Sequence, residues 1–272
     1  MTEWELPTAR SVYVVAETDV GLVLRHWGSP GQRRAFAPAA RTPFEAPTDK
    51  VPLEFAAAGT RHAQFAELLV QGSDGVDGAL LRLVPESVTV TDDGRDAALT
   101  ALLRDPDAGI EVALHVRTSR AHDVVERWAR VRSLRTAGDL HLTRAFGAAW
   151  NVPVGPGARV AELVGTWSRE FTPAGVDLPA GQLSLGSRQG ITSHLYSPVV
   201  ALRARDSGDD CEAYGVALAW SGSWRMVVDA VPFRDVVRVS GGADDETAVI
   251  TLAPGEEFET PHLLGAWSSG GL

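Results

Sequence analysis

Residues 97–118, AALTALLRDPDAGIEVALHVRT, contain the stretch of sequence that decides the fold. After the turn-forming residues Asp105–Gly109, apolar residues alternate with polar or small ones from Ile110 to Val116, which is the period of a half-buried β-strand. The first half, Ala97–Arg104, is rich in Ala and Leu, and intrinsic propensity alone favours a helix there. Because a turn joins this half directly to a strand, we predict that the two halves pair as a β-hairpin.

The same period-two alternation recurs on both sides of this hairpin. Residues 12–16 and 22–26 flank a turn at Thr18–Gly21 and predict a first hairpin. Many short strands separated by Gly, Pro and Asp turns are typical of an all-β sandwich or barrel. The further predicted strands are Asp123–Ser133, Leu140–Phe146, Ala158–Val164, Val199–Arg205, Ala213–Trp220, Arg225–Val231, Val236–Ser240, Ala248–Leu252 and His262–Ala266.

Three stretches do not show clear alternation. Gly28–Pro52 and Arg169–Gly190 are rich in Pro, Gly or Arg, and we predict long surface connections there. Arg61–Val70 is the one short helix candidate, although residues 67–70 could equally open a strand. Since no linker divides the sequence, we expect residues 1–272 to form one domain.

Composition narrows the classes of partner. A net charge of −10 repels phosphate backbones and anionic lipids, so we expect neither nucleic acid nor a membrane as partner, whereas a neutral sugar is compatible. Met1–Arg10 lacks the basic start and apolar run of a signal peptide. Cys211 is the only cysteine, which agrees with a reducing, cytoplasmic compartment.

The sequence predicts no catalytic group, metal site or cofactor. The seven histidines form no metal-binding pattern, and Gly155–Gly157 lacks the remainder of a dinucleotide fingerprint. Adjacent aspartates on a strand point to opposite faces and so do not form an acid/base pair. Because all three aspartate pairs lie beside predicted turns, we interpret them as solvated turn residues. These pairs are Asp92–Asp93, Asp209–Asp210 and Asp244–Asp245.

Tryptophan is the composition feature that points to a ligand. The chain has eight, and an indole ring can stack on the apolar face of a sugar. The alternative for each tryptophan is that it fills the core of a sandwich.

Five blocks, in order along the chain, resemble the N-terminal domain of glycoside hydrolase family 36 α-galactosidases. They are SVYVV with LRHWG (residues 11–15 and 24–28), GTWSRE (165–170), LGSRQG followed by Ser193, His194 and Pro198 (185–198), YGVALAWSGSW (214–224) and LAPGEEFETP (252–261). The resemblance covers essentially the whole chain.

The resemblance implies a large, galactose mutarotase-like β-supersandwich of antiparallel strands with little helix. In the family this domain precedes a (β/α)₈ barrel that carries the two catalytic aspartates, and we expect the barrel to follow after residue 272, outside this chain. The resemblance further implies retaining hydrolysis of terminal α-D-galactosyl residues in raffinose-type oligosaccharides. The implied partners are a galactoside, the chain's own barrel and neighbouring subunits of a homotetramer.

The resemblance also implies two sugar contacts. Trp167 matches the tryptophan that reaches an active site in many members, although it could instead belong to the core. His62 stands where the family has an aspartate, and Gln64 where it has an arginine. We predict His62 as the second contact, since a histidine can hydrogen-bond sugar hydroxyls; the alternative is an ordinary exposed loop.

Two other functions stay open from the sequence. One is a stand-alone carbohydrate-binding module, and the other is a purely structural oligomerisation domain.

Overall fold

The computed structural model describes residues 2–32, 51–59, 65–72, 81–155, 157–204, 211–230 and 236–271. Within these ranges the chain forms nineteen strands and no helix, which confirms the predicted all-β class. The strands are β1 (Glu3–Pro7), β2 (Val12–Thr18), β3 (Gly21–Gly28), β4 (Leu68–Gly72), β5 (Val84–Asp92), β6 (Asp96–Asp105), β7 (Ile110–Ser119), β8 (Val124–Ser133), β9 (Leu140–Val152), β10 (Ala158–Thr166), β11 (Arg169–Leu178), β12 (Gly181–Ser187), β13 (Tyr196–Arg203), β14 (Ala213–Ala219), β15 (Trp224–Ala230), β16 (Val237–Ala243), β17 (Ile250–Leu252), β18 (Glu257–Glu259) and β19 (His262–Ser268).

The strands form three antiparallel sheets. The large sheet has the order β11-β10-β13-β14-β19-β8-β7-β6-β5, with β18 added beside β8. The second sheet has the order β12-β15-β16-β9-β17, with β4 paired to β9, and β1-β2-β3 form the third. One apolar cluster contains buried residues from all three sheets, so the sheets pack face to face as a sandwich.

The hairpin predicted around residues 97–118 is confirmed. β6 and β7 pair from Asp96 with Ser119 to Asp105 with Ile110, and buried and half-buried residues alternate along both strands. Burial of every second side chain therefore overrides the helical propensity of the Ala/Leu-rich half.

The predicted long connection over Arg169–Gly190 is wrong, because β11 and β12 occupy most of it. β11 is an edge strand that pairs with β10 alone, and its side chains are exposed on both faces from Arg169 to Pro173. An edge strand without a buried face shows no apolar alternation, and it tolerates a proline. The sequence therefore carried no periodic signal for this strand.

The other two irregular stretches are described only in part. Of the helix candidate Arg61–Val70, residues 61–64 lie outside the described ranges, and β4 confirms the alternative of a strand beginning near residue 68. Of the predicted connection Gly28–Pro52, residues 33–50 lie outside the described ranges.

Aromatic rings join the three sheets at the centre of the core. Trp27 of the third sheet lies 4.7 Å from Trp150 of the second and 5.0 Å from Tyr214 of the large sheet, measured between ring centroids. Tyr13 completes the cluster with edge-on contacts to both tryptophans. Gly265 is needed opposite Trp150, since a Cβ at that position would lie 2.8 Å from the indole.

Two buried ion pairs lie beside these rings. Arg238 contacts the carboxylate of Glu67 at 2.5 and 3.1 Å, and Arg127 contacts that of Glu54 at 2.7 Å. All four side chains are almost completely buried. Burial raises the pKa of the Glu54 carboxyl, and the positive charge of Arg127 opposes that rise.

Further hydrogen bonds complete this buried network. Arg238 and Asn151 both donate to the carbonyl of Leu53, at 2.6 and 3.0 Å. The Tyr13 hydroxyl donates to Glu54 at 2.9 Å, and the backbone amide of Ala56 donates to Glu67 at 2.7 Å. The network therefore fastens the chain on either side of residues 59–66 to strands of all three sheets.

We expect Arg238→Met to lower the free energy of unfolding by about 3–5 kcal/mol, because it leaves the Glu67 carboxylate buried without its cation. Urea denaturation followed by circular dichroism measures the change. Replacing Glu67 with Met as well removes the orphaned charge and should recover part of the loss.

The matched control is Arg159→Met, which breaks the exposed 3.1 Å pair with Asp177. It should cost less than about 1 kcal/mol. Equal losses in Arg238→Met and Arg159→Met would show that the buried pair has no special role in stability.

Candidate functional site

The structure separates the eight tryptophans by their surroundings. Four are buried in the core, a fifth packs half-buried against it, one lies in a ring stack, and two are exposed. The four buried residues are Trp27, Trp150, Trp224 and Trp267, and Trp4 is the half-buried one. The two exposed residues, Trp167 and Trp220, are therefore the ones available to a sugar.

Trp128 is the stacked tryptophan, on the outer face of the large sheet. Its ring centroid lies 4.8 Å from that of His115 on β7 and 4.5 Å from that of His262 on β19, with planes within 15° and 8° of parallel. The Nδ1 of His262 contacts Glu126 at 2.7 Å. Because the two imidazoles cover both indole faces, Trp128 cannot stack on a pyranose ring.

Trp167 lies at the tip of the hairpin between β10 and β11 and is 83% exposed. The alternative that it belongs to the core is therefore wrong. The turn closes where Thr166 pairs with Arg169. Ser168 has a φ of 63° in the left-handed region, and its amide donates to the Glu170 carboxylate at 3.0 Å.

Gly165 fixes the base of this hairpin. A Cβ there would lie 2.7 Å from the Cα of Glu170, 2.8 Å from the carbonyl oxygen of Arg169 and 2.9 Å from that of His194. The Gly165 amide also donates to the carbonyl of Leu195 at 3.0 Å. The glycine thus lets three pieces of backbone meet directly beneath the exposed indole.

Two further turns lie beside the hairpin, and the three together are called the rim: residues 166–171, 188–196 and 220–223. Thr192 joins the second turn to the third by donating to the carbonyls of Trp220 and Ser221 at 3.1 and 3.2 Å. Six of the eleven exposed large apolar side chains among the described residues lie on the rim, which marks it as an interaction surface. These six are Trp167, Phe171, Ile191, Leu195, Tyr196 and Trp220.

A cleft of about 380 Å³ lies between the second rim turn and the second sheet. Ser184 and Ser187 of β12, Tyr196 at the start of β13 and Arg225 of β15 contribute to its walls. The sequence did not predict this cleft, although residues 185–190, one of the stretches that resemble family 36, supply part of its lining. The sequence does not show that Arg225 lies opposite these residues in the folded chain.

His62 and Gln64 lie outside the described residues, so the role of His62 as a sugar contact stays a prediction. The described residues before and after the segment that contains His62 and Gln64 contact each other, since Ala57 forms an isolated β-bridge with Leu68. Glu67 also donates from its amide to the carbonyl of Ala56 at 2.7 Å.

Phe65 is the first described residue after that segment. Its amide donates to the carboxylate of Asp229 at 3.0 Å, and the guanidinium of Arg144 lies 4.1 Å from its ring centroid. Burial raises the pKa of Asp229, against the lowering effect of the hydrogen bond from Phe65. The guanidinium of Arg225, which lines the cleft, lies 5.9 Å from the same ring, so Phe65 lies near the cleft.

The three aspartate pairs have different surroundings. Asp92 and Asp93 accept backbone hydrogen bonds in an exposed turn, as predicted. The prediction is wrong for Asp245, whose side chain is 4% exposed and lies between Arg144 and Arg225 at 2.5 and 3.1 Å. Asp244, also buried, caps a turn by accepting from the amide of Thr247 at 3.2 Å. The pair Asp209–Asp210 lies outside the described residues.

Metal chemistry has no candidate in the described ranges. No group of three or more His, Cys, Asp or Glu side chains there could hold a metal ion. The same part of the chain contains no helix that could cross a membrane.

The family model for the glycosyl hydrolase family 36 N-terminal domain matches residues 21–253. The chain belongs to this family. The matched range includes the rim and the cleft, so both are parts of a family 36 N-terminal domain.

Curated relatives of this family 36 domain are α-galactosidases. It is 26% identical over 237 residues to the bifunctional α-galactosidase/sucrose kinase AgaSK of Mediterraneibacter gnavus, a match of 82% of this chain and 25% of that protein. It is 27% identical over 232 residues to α-galactosidase AgaA of Geobacillus stearothermophilus, covering 85% of this chain and 31% of AgaA. The chain therefore spans about a quarter to a third of these relatives.

Solved structures confirm the fold of the family 36 domain. The crystal structure of AgaA superposes on 99% of this chain and 41% of its own, with a TM-score of 0.87 and 24% identity. AgaB of the same organism gives a TM-score of 0.84 and 26% identity over 99% of this chain and 40% of its own. Variants of AgaA have been solved in complex with raffinose and with stachyose.

We expect Gly165→Ala to loosen the Trp167 hairpin, because the new Cβ would overlap three backbone segments. The free energy of unfolding should fall by about 1–3 kcal/mol. Limited proteolysis after Arg169 should also become faster.

Gly215→Ala is the control, since a Cβ at that position of β14 meets nothing within 4 Å and Gly215 has an ordinary φ. Equal behaviour of Gly165→Ala and Gly215→Ala would contradict the close packing beneath the hairpin.

The ring stack predicts a pH dependence of stability. Burial lowers the pKa of His115 from its ordinary value of 6.5, and the neighbouring charge of Arg130 adds to this. The folded protein then binds this proton less tightly than the unfolded chain, so the contribution is present above about pH 6.5 and is lost as the pH falls. We expect His115→Phe, which keeps a ring, to weaken the fall in unfolding free energy between pH 7 and 5.

Denaturation series at several pH values measure this slope. The control is His122→Phe at an exposed turn, which tests for a general effect of removing an imidazole. A slope in His115→Phe as steep as that of the unmodified chain would contradict the role assigned to His115.

Proposed function

We propose that this chain is the N-terminal domain of a retaining α-galactosidase, with its rim facing the sugar-binding pocket of a catalytic (β/α)₈ barrel that follows residue 272. The observation that carries the proposal is Trp167, an 83% exposed indole held on a rigid hairpin of a family 36 domain. Terminal α-D-galactosyl residues of raffinose-type oligosaccharides are the proposed substrate. The activity of the curated relatives and the raffinose and stachyose complexes of AgaA variants support this choice.

Within this proposal the sandwich binds and positions, and the barrel supplies the chemistry. An exposed indole provides a flat apolar face for one side of a galactose ring, and it limits the access of water. His62 is proposed as a second contact that hydrogen-bonds a sugar hydroxyl. In a retaining reaction two carboxyl groups about 5–5.5 Å apart act as nucleophile and as acid/base, and we assign both to the barrel.

Three other apolar side chains of the rim, Phe171, Ile191 and Trp220, are proposed to contact protein. A patch of this kind is typical of a surface covered in the assembled molecule, either by the chain's own barrel or by a neighbouring subunit of a homotetramer. We place the assembled enzyme in the cytoplasm. The purely structural alternative has weaker support, because a domain used only for assembly does not need an exposed tryptophan on a rigid hairpin.

Hydrolysis of 4-nitrophenyl α-D-galactopyranoside tests the proposal. We expect turnover from the longer protein that joins this domain to its barrel, and none from this chain alone. Turnover by this chain alone would place a catalytic pair within it, whereas inactivity of both would exclude an α-galactoside as substrate.

The role of Trp167 is tested in the longer protein. We expect Trp167→Ala to lower kcat/KM by about tenfold, mainly through KM, which corresponds to about 1.4 kcal/mol of lost binding. Val90→Ala is the control, since Val90 is an exposed apolar residue on β5 at the opposite edge of the same sheet. An unchanged kcat/KM in Trp167→Ala would remove Trp167 from the sugar site.

A further inference from the structure

The cleft beside the rim gathers residues that are far apart in the sequence. Its walls come from three parts of the chain: residues 184–196, the start of β15 at Trp224 and Arg225, and the turn after β16 at Asp244 and Glu246. Two of the five resemblance blocks, at 185–190 and 214–224, thus meet at one cleft of about 380 Å³. Trp167 is not among the lining residues, so the cleft is a separate feature from the hairpin tip.

The cleft is built on closely packed backbone. Gly186 lies so close to β15 that a Cβ would be 2.6 Å from the carbonyl oxygen of Trp224, and Trp224 itself is fully buried. In the turn above, the Ser187 hydroxyl donates to the carbonyl of Ile191 at 2.7 Å, and the Gly190 amide donates to the Ser223 hydroxyl at 2.9 Å. A ligand would therefore meet a surface that is already ordered, which reduces the entropy lost on binding.

The charges of the cleft are balanced by their neighbours. Arg188 pairs with Glu246 at 2.6 Å, and Arg225 contacts Asp245 at 3.1 Å and Glu246 at 3.6 Å. The Nε of Arg225 also donates to the hydroxyl of Ser184 at 3.0 Å. Asp244, which also lines the cleft, accepts hydrogen bonds from the amide and the hydroxyl of Thr247. Since the charged groups of the lining already have partners within the protein, the lining favours a neutral polar ligand over an ion.

The cleft also has an apolar wall. Tyr196 is 38% exposed and Leu195 is 40% exposed, and both line the cleft opposite the serine and arginine side chains of the second sheet. An aromatic face beside several hydroxyl, amide and guanidinium groups matches the two kinds of surface of a pyranose ring. The volume lies within the range of small-molecule sites.

We propose that this cleft binds a neutral saccharide, with the ring of Tyr196 against the apolar face of one sugar unit and Gln189 and Arg225 hydrogen-bonded to its hydroxyls. The site belongs to this chain alone and does not depend on the catalytic barrel of the proposed function. Its ligand class is a neutral oligosaccharide, for which raffinose serves as the probe.

Saturation-transfer difference NMR of this chain with raffinose tests the proposal. We expect saturable binding that weakens at least tenfold in Tyr196→Ala and is largely retained in Tyr196→Phe, because the phenyl ring keeps the stacking face. Phe171→Ala is the matched control for an exposed aromatic outside the cleft and should bind as the unmodified chain does.

Three results would overturn the proposal. They are the absence of saturable binding, equal binding by Tyr196→Ala and the unmodified chain, or an equal loss of binding in Phe171→Ala and Tyr196→Ala. Because binding is measured on this chain and turnover on the longer protein, failure here leaves the α-galactosidase proposal to be decided by its own assay. Circular dichroism of Tyr196→Ala confirms that a lost signal is not a lost fold.

Discussion

The buried pairing of Arg238 with Glu67 and of Arg127 with Glu54 is the constraint on which the rest of the domain depends. Removing ions from water is costly, so such pairs persist only where further hydrogen bonds satisfy the remaining polar atoms. Here Asn151 and the carbonyl of Leu53 complete the network. It therefore sets the relative position of three sheets that apolar packing alone would hold less specifically.

The same network determines where ligand-facing residues can lie. It anchors the chain before and after residues 59–66, the segment that contains His62. The first rim turn joins two strands of the large sheet, and the other two turns join strands of the large sheet to β12 and β15 of the second sheet. Hydrogen bonds of Gly165 and Thr192 connect the three turns. Sugar contacts on this scaffold would be held by backbone geometry, and side-chain flexibility would contribute little to their positions.

The sequence predicted the parts of the fold in which one face of each strand is buried. The hairpin of β6 and β7 and the strands β8 to β10 followed from alternation, because burial imposes that period. β11 was missed because neither of its faces is buried over much of its length. For the site, the family resemblance predicted Trp167. The cleft could not be predicted in the same way, because it forms where Arg225 contacts Ser184, 41 positions earlier in the chain. No local sequence pattern indicates a contact over that separation.

The tryptophans show how the environment of a residue type decides its function. Trp150 is enclosed by aromatic rings, and Trp128 lies between His115 and His262, so neither presents a free face. Trp167 presents its ring because Gly165 brings the backbone of β10 and β11 together beneath a two-residue turn, which leaves the indole no neighbouring strand to pack against. Its exposure is thus a consequence of hairpin geometry. Because an exposed apolar ring is in contact with water, covering it with the apolar face of a sugar, or with another protein surface, would be favourable.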